Sequence, residues 1–234
     1  MIDIRNLLIF SLTFVIFTII GTISHEYGHI IVAESLGYET TLRYGSMSYK
    51  DSEANDKLFK IFDKNRITIE NNLDFDQKTE YENLSNKLKS ERFLVTLGGP
   101  LQTIITGTIG LIFIFFRRKR IDQNGLRIID WLAVFLSLFW LREVFNVVIS
   151  IGNELISPNG TYFAGDEKNI SEFLNVWNGT VSIILAIIGL AISLYIIFSI
   201  IPKNIRITFI LSGFIGGIVG FILWFDYLGP VLLP

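Results

Sequence analysis

The sequence predicts an all-α polytopic membrane protein of about five transmembrane helices, with a small α+β polar insertion between the first and the second. Three observations carry that prediction. Half of the 234 residues are hydrophobic and the mean hydropathy is +0.50, far on the apolar side of an ordinary soluble domain. Five apolar stretches approach the roughly 20 residues that cross a ~30 Å hydrocarbon core. A single long polar stretch, residues 38–92, separates the first of them from the rest.

The first stretch, 7–23, follows Arg5 and resembles the apolar part of a signal peptide, but no small-residue cleavage site follows it, so it reads as a retained transmembrane helix. Continued to about Leu36 it would measure about 45 Å, so it must tilt or emerge. The polar insertion begins with TTLRYGSMSYK (40–50), which is β-prone and partly alternating. It ends over 76–92 with Tyr81, Leu84 and Leu88 at helical spacing, which predicts a hairpin followed by an amphipathic helix. Spans are then expected over 93–116, 128–151, 179–201 and 208–225. The domain plan is a first helix to residue 37, the polar loop 38–92, and a four-helix region 93–234. In the last span Gly213, Gly216, Gly217 and Gly220 predict close helix packing. Trp131, Trp140, Trp177 and Trp224 are expected to include interface anchors.

Charge orients the chain and excludes some partners. A net charge of −2 gives no basic field for nucleic acid. Arg117, Arg118, Lys119, Arg120 and Arg127 crowd one short loop, and Lys203 and Arg206 another, which predicts that both are cytoplasmic. The loop 152–178 carries only Lys168 and falls on the opposite face. Cysteine is absent, so a metal would have to be held by His, Asp or Glu.

Both histidines of the chain lie in HEYGH, at 25 and 29. This matches HExxH, in which His25 and His29 project from one helix face to share a zinc ion and Glu26 is placed to act on water at the metal. A third protein ligand must be a carboxylate. Asp166 in AGDEKN lies on the same membrane face as the motif; Glu167 beside it and Glu143 in span three are alternatives, whereas Asp130 sits at the other end of span three. Arg142, Glu143 and Asn146 fall within one turn of each other inside that span. They predict a polar cluster serving either helix packing or the substrate and ligand surroundings.

Residues 25–33, HEYGHIIVA, resemble the HExGHxxxA signature of the site-2 protease family of intramembrane zinc metalloproteases. Gly98, Gly99 and Pro100 resemble that family's Gly-Pro element, and Asn153, Pro158 and Gly165-Asp166 are the nearest match to the stretch bearing its third ligand. Gly165 precedes Asp166 where the family carries glycine after the aspartate, and Thr103 stands where the family tends to place asparagine. The resemblance implies a Zn2+ site of His25, His29 and Asp166, Glu26 as the catalytic residue, and Gly99, Pro100, Gln102 and Thr103 near substrate or ligands. It also implies that 40–50 is a membrane-associated hairpin offering a strand edge to substrate.

The function so implied is hydrolysis of peptide bonds in or near a transmembrane segment of a protein substrate, by a multi-pass protein of the cell membrane. No insertion is large enough for a PDZ-sized domain, so selection would fall to the polar loop, to steric exclusion or to a protein partner. The family places zinc toward the cytoplasm, whereas the short-loop charges put HEYGH on the outer side. The alternative function is a non-proteolytic zinc-binding membrane scaffold or chaperone of the same family, which would have no need of Glu26. A metal transporter would need ligands at several depths, and only one cluster is present.

Overall fold

The computed structural model describes residues 3–50, 52–158, 160 and 162–233, and nearly all of the ordered elements are helical. Helix α1 (Ile4–Ser35) is followed by strands β1 (Thr40–Leu42) and β2 (Met47–Tyr49), then α2 (Glu53–Glu70) and α3 (Lys78–Asn124). Helix α4 (Ile128–Ser137) passes through a 3-10 turn, Leu138–Trp140, into α5 (Leu141–Ile156). A short α6 (Gly165–Phe173) precedes α7 (Thr180–Tyr195), which ends in a π-helical turn. Helix α8 (Arg206–Ile222) continues through a π-helical segment into α9 (Gly229–Leu232).

Five of these runs are long and apolar enough to cross a membrane: Ile4–Ser35, Lys78–Asn124, Ile128–Ile156, Thr180–Ile200 and Arg206–Leu232. They fit an integral multi-pass protein. The outward face of α1 agrees, since Leu8, Leu12, Ile16 and Ile20 are all exposed, an arrangement suited to lipid rather than water. The inward faces interlock through aromatic rings. Phe10 meets Trp131 at 4.9 Å between centroids, Phe14 meets Phe135 at 5.0 Å, and Phe209 closes on Phe10 at 5.3 Å. Such pairs bring α1, α4 and α8 together with more than area burial alone.

Helices α1 and α8 approach closely because side chains are missing where they cross. A Cβ on Gly216 would fall 2.3 Å from the Ser11 carbonyl oxygen, and one on Gly220 3.0 Å from Val15 and Thr18, while Gly213 faces Phe14. Gly217 is an exception to the expected packing role, because it faces open space. The tryptophans divide into packed and exposed positions. Trp140 and Trp224 are buried, Trp131 stacks within the core, and of the four only Trp177 is largely exposed, at 65%.

The polar insertion differs from its expected form in two respects. The hairpin is a two-stranded antiparallel sheet pairing Thr40 with Tyr49 and Leu42 with Met47, within the predicted segment. A further helix, α2, follows it, capped by Ser52, whose hydroxyl accepts from the Asn55 N–H, and it packs on α3. The segment 76–92 is not a separate helix. It forms the first turns of α3, which at 47 residues is about 70 Å long and projects beyond any bilayer core. Nothing breaks it, since residues 78–97 contain neither glycine nor proline.

Two sets of contacts fix the ends of the bundle. At one end Asp130, with no exposed surface, accepts from Arg117 at 2.6 Å, from Arg120, and from the Arg127 N–H at 2.7 Å. There Arg118 also donates to the Ser199 carbonyl at 2.6 Å and Arg206 to that of Phe198 at 2.8 Å. At the other end the hairpin is pinned between chain segments far apart in sequence. The Tyr38 hydroxyl donates to Glu91 at 2.7 Å, the Trp224 indole to the Tyr44 carbonyl at 2.6 Å, and the Tyr44 N–H to the Leu233 carbonyl at 3.0 Å. Burial together with the neighbouring Glu91 carboxylate pushes the Tyr38 hydroxyl up to about 12, so it remains a donor at physiological pH.

Candidate metal centre

Helical spacing puts His25 and His29 on one face of α1, ring centroids 5.0 Å apart, and both are buried. What brings α3 onto that face is a double glycine contact. A Cβ on Gly28 would lie 2.3 Å from the Gly98 carbonyl oxygen, and one on Gly98 2.4 Å from that of Gly28. The two backbones therefore touch directly, as small residues permit between membrane helices. Pro100, buried just beyond this contact, has no N–H and leaves the Thr96 carbonyl without its helical donor.

The contact places two polar groups of α3 against the histidine rings. The Val95 carbonyl lies 2.7 Å from His29 Nδ1, and the Thr103 hydroxyl 3.0 Å from His25 Nδ1. A carbonyl only accepts, so His29 Nδ1 carries the proton. The Gly99 nitrogen, 3.3 Å from that same Nδ1, is then a donor facing a donor and adds no bond. With both Nδ1 atoms engaged, both Nε2 atoms turn the other way, toward one oxygen of Asp166, at 3.0 Å from His25 and 3.2 Å from His29.

Asp166 comes from the loop joining spans three and four, as the second residue of α6. That helix starts at Gly165 with φ +78°, a left-handed conformation suited to glycine. It is held to α3 by a parallel ring stack of Phe173 on Phe93, centroids 3.8 Å apart, and to α7 by the Val181 N–H donating to Ser171. Burial by itself would raise the Asp166 carboxyl. Its contacts with the His25 and His29 imidazoles act the other way and hold the group well below the ordinary carboxylate range, so it is an anion.

These three residues offer donor atoms that lie within 4.8 Å of one another, and such a group could hold a metal ion. A tetrahedral ion with bonds of about 2.0–2.1 Å separates neighbouring donors by about 3.3 Å, close to the two separations seen here. Space for an ion is supplied by Gly99. A Cβ there would fall 2.3 Å from His29 Nε2 and 2.5 Å from His25 Nε2, so a methyl group would occupy the place where the two free nitrogens converge.

No protein-family model, curated protein or solved structure matches this chain.

Glu26 is buried next to the histidines, beside the Met47 backbone of β2, and is not among the three donors. Glu143 and Glu167, the alternative ligands, are also outside that group. They are both buried, in contact with each other, and Asn146 donates to Glu167 at 3.1 Å. Arg142 is half-buried and makes no hydrogen bond or ion pair among the described residues. Gln102 is turned away from the centre: its amide donates to Thr106 at 3.0 Å, and it borders a shallow apolar groove with Ile20, Ser24 and Tyr27 on the far side of α1. Asp130 belongs to the opposite end of the bundle. The motif did not reveal Val95 and Met47, because they contribute backbone groups that leave no side-chain signature.

Thr103 gives a direct test of this geometry. Thr103→Val keeps the shape and removes the hydroxyl that orients His25. Loss of such a supporting hydrogen bond is expected to weaken metal binding by about 10- to 100-fold, read by competition with a chromophoric chelator, while thermal stability in detergent stays close to wild type.

Proposed function

We propose that this protein is an intramembrane zinc metalloprotease, similar to the site-2 protease family, that cuts a peptide bond in or near a transmembrane segment of another protein. The observation that carries the reading is the placement of Glu26. It is a buried carboxyl outside the donor set, one residue from His25, within an apolar helix long enough to cross a membrane. The centre lies about 27 Å along α3 from Arg117, which sets it just inside the far boundary of a ~30 Å core.

Two imidazoles and a carboxylate suit zinc, and three protein donors leave a fourth position open, the pattern of a catalytic site. When bound, zinc would supply Lewis acidity, making water acidic near neutral pH and polarising a carbonyl. Glu26 takes the proton from the attacking water as the carbon–oxygen bond forms. It passes that proton to the amine as the carbon–nitrogen bond breaks. Val95 and Thr103 keep the imidazole rings in one orientation throughout. A helical substrate must unwind, because its carbonyls are otherwise engaged internally, and the β1–β2 hairpin beside Glu26 offers a strand edge to pair with the extended chain.

The reading is tested in proteoliposomes containing the protein and single-span substrates. Cleavage is expected with zinc, lost on chelation, and regained when zinc but not magnesium is returned. Zinc-loaded protein that cuts no membrane segment, or cleavage indifferent to chelation, would contradict it.

A further inference from the structure

We propose that Arg142 is a catalytic residue, the side chain that donates hydrogen bonds to the carbonyl oxygen of the bond being cut. This rests on the protease reading above and assigns a role the zinc donors and Glu26 leave open.

Arg142 lies in the first turn of α5, inside the third span, between buried Trp140 and buried Glu143. Its Nε is sealed from solvent and has no partner among the described residues. The arginines at the far end of the bundle differ in being committed to partners, although Arg120 and Arg206, committed through other nitrogens, also carry a buried Nε without a partner among the described residues. Arg117 and Arg120 hold Asp130, Arg118 holds Asp122 and the Ser199 carbonyl, and Arg206 holds the carbonyls of Phe198 and Ile201. A guanidinium within a span is costly unless it is paired or functional, and no carboxylate among the described residues lies within ion-pair distance of this one. Its neighbour Glu143 feels its charge from beyond ion-pair distance and is itself in contact with Glu167.

Position and chemistry give the group its role. Asn146, one turn further along α5, donates to Glu167 at 3.1 Å, and Glu167 follows Asp166 in α6, so the first turn of α5 lies beside the metal centre. The side chains gathered there are mostly acceptors: Glu26, Asp166, Glu143 and Glu167. An unwound peptide brings further acceptors, its own carbonyls, into a region without bulk water, and each needs a donor. The guanidinium offers five N–H groups in a planar fork, uncommitted among the described residues. As water adds to the peptide carbon, the carbonyl π electrons move onto oxygen, and a donor already in place stabilises that charge. They return to re-form the carbonyl as the amine leaves.

The test uses the full chain in proteoliposomes. Arg142→Gln is expected to lower kcat/KM by about 10²- to 10³-fold, through kcat rather than KM, with zinc content unchanged. A readout free of turnover is the affinity of a phosphinic peptide, a tetrahedral anion, for zinc-loaded protein carrying Glu26→Gln. Adding Arg142→Gln should weaken it by a similar factor, because such a ligand reports transition-state contacts. Arg142→Lys keeps the charge but loses the fork and should weaken the same ligand by a smaller factor, which decides the matter if the glutamine variant fails to fold. Wild-type kcat in Arg142→Gln, wild-type phosphinate affinity in Arg142→Lys, or recovery of rate in a double Arg142→Gln, Glu143→Gln variant would overturn the proposal; the last would mean that Arg142 only balances Glu143. Zinc-loaded wild-type protein that cuts nothing would instead remove the protease reading, and this proposal with it.

Discussion

Glu26→Gln is expected to retain zinc at the wild-type ratio while cleavage falls by about 10²- to 10⁴-fold, the range that a positioned proton-transfer group supplies. The two effects separate because of where Glu26 stands. His25, His29 and Asp166 provide the donor set without it, so the metal should be indifferent to the change. Glutamine matches glutamate in size and fills the same buried position beside Met47, so packing should also survive. What the amide cannot do is accept a proton from water and return it to the amine. Metal analysis on the purified variant and a cleavage time course on the same preparation read both quantities. A variant that cuts at the wild-type rate would exclude Glu26 as the base, and a variant that loses zinc would make it a ligand.

Gly99→Ala is expected to abolish metal binding, and activity with it, although the substitution adds one methyl group to a helix. Alanine is the better helix former, so α3 itself should not object. The obstruction is local: the new Cβ would stand 2.3 Å and 2.5 Å from the Nε2 atoms of His29 and His25, far inside van der Waals contact. Those rings have little freedom to retreat, because Val95 and Thr103 hold their other nitrogens. Gly152→Ala is the control, since Gly152 also lies in a helix and faces open space; it should bind zinc and cut like wild type. Equilibrium zinc titration of the two variants makes the comparison. Tight zinc binding by Gly99→Ala would show that an ion sits somewhere other than between these nitrogens.

The bundle was largely legible in the sequence because a membrane-crossing helix announces itself by length and hydropathy. The spans expected over 128–151, 179–201 and 208–225 correspond to helical runs Ile128–Ile156, Thr180–Ile200 and Arg206–Leu232. The proximity of His25, His29 and Asp166 was also legible, from helical periodicity in HEYGH and from the requirement that both loops share a face. Less was visible in the polar insertion. Charged residues dilute the apolar face of α2, and where α3 begins depends on the absence of a breaker before residue 98 rather than on any positive signal. The groups that orient the histidines were the least visible, since Val95 acts through its carbonyl and Thr103 is an ordinary helix residue until α1 is laid against α3. Gly28 and Gly98 make that contact possible, but a glycine shows only that something approaches closely, never what. Gly217 illustrates this, sharing a span and a pattern with Gly216 while touching nothing.

The metal centre is tested most directly by anomalous X-ray diffraction at the zinc edge from crystals of the zinc-loaded protein in lipid. One strong peak is expected within bonding distance, about 2.0–2.2 Å, of His25 Nε2, His29 Nε2 and a carboxylate oxygen of Asp166, with Glu26 near the ion but not bound to it. A peak elsewhere, a site completed by Glu143 or Glu167 in place of Asp166, or no peak at all would contradict it.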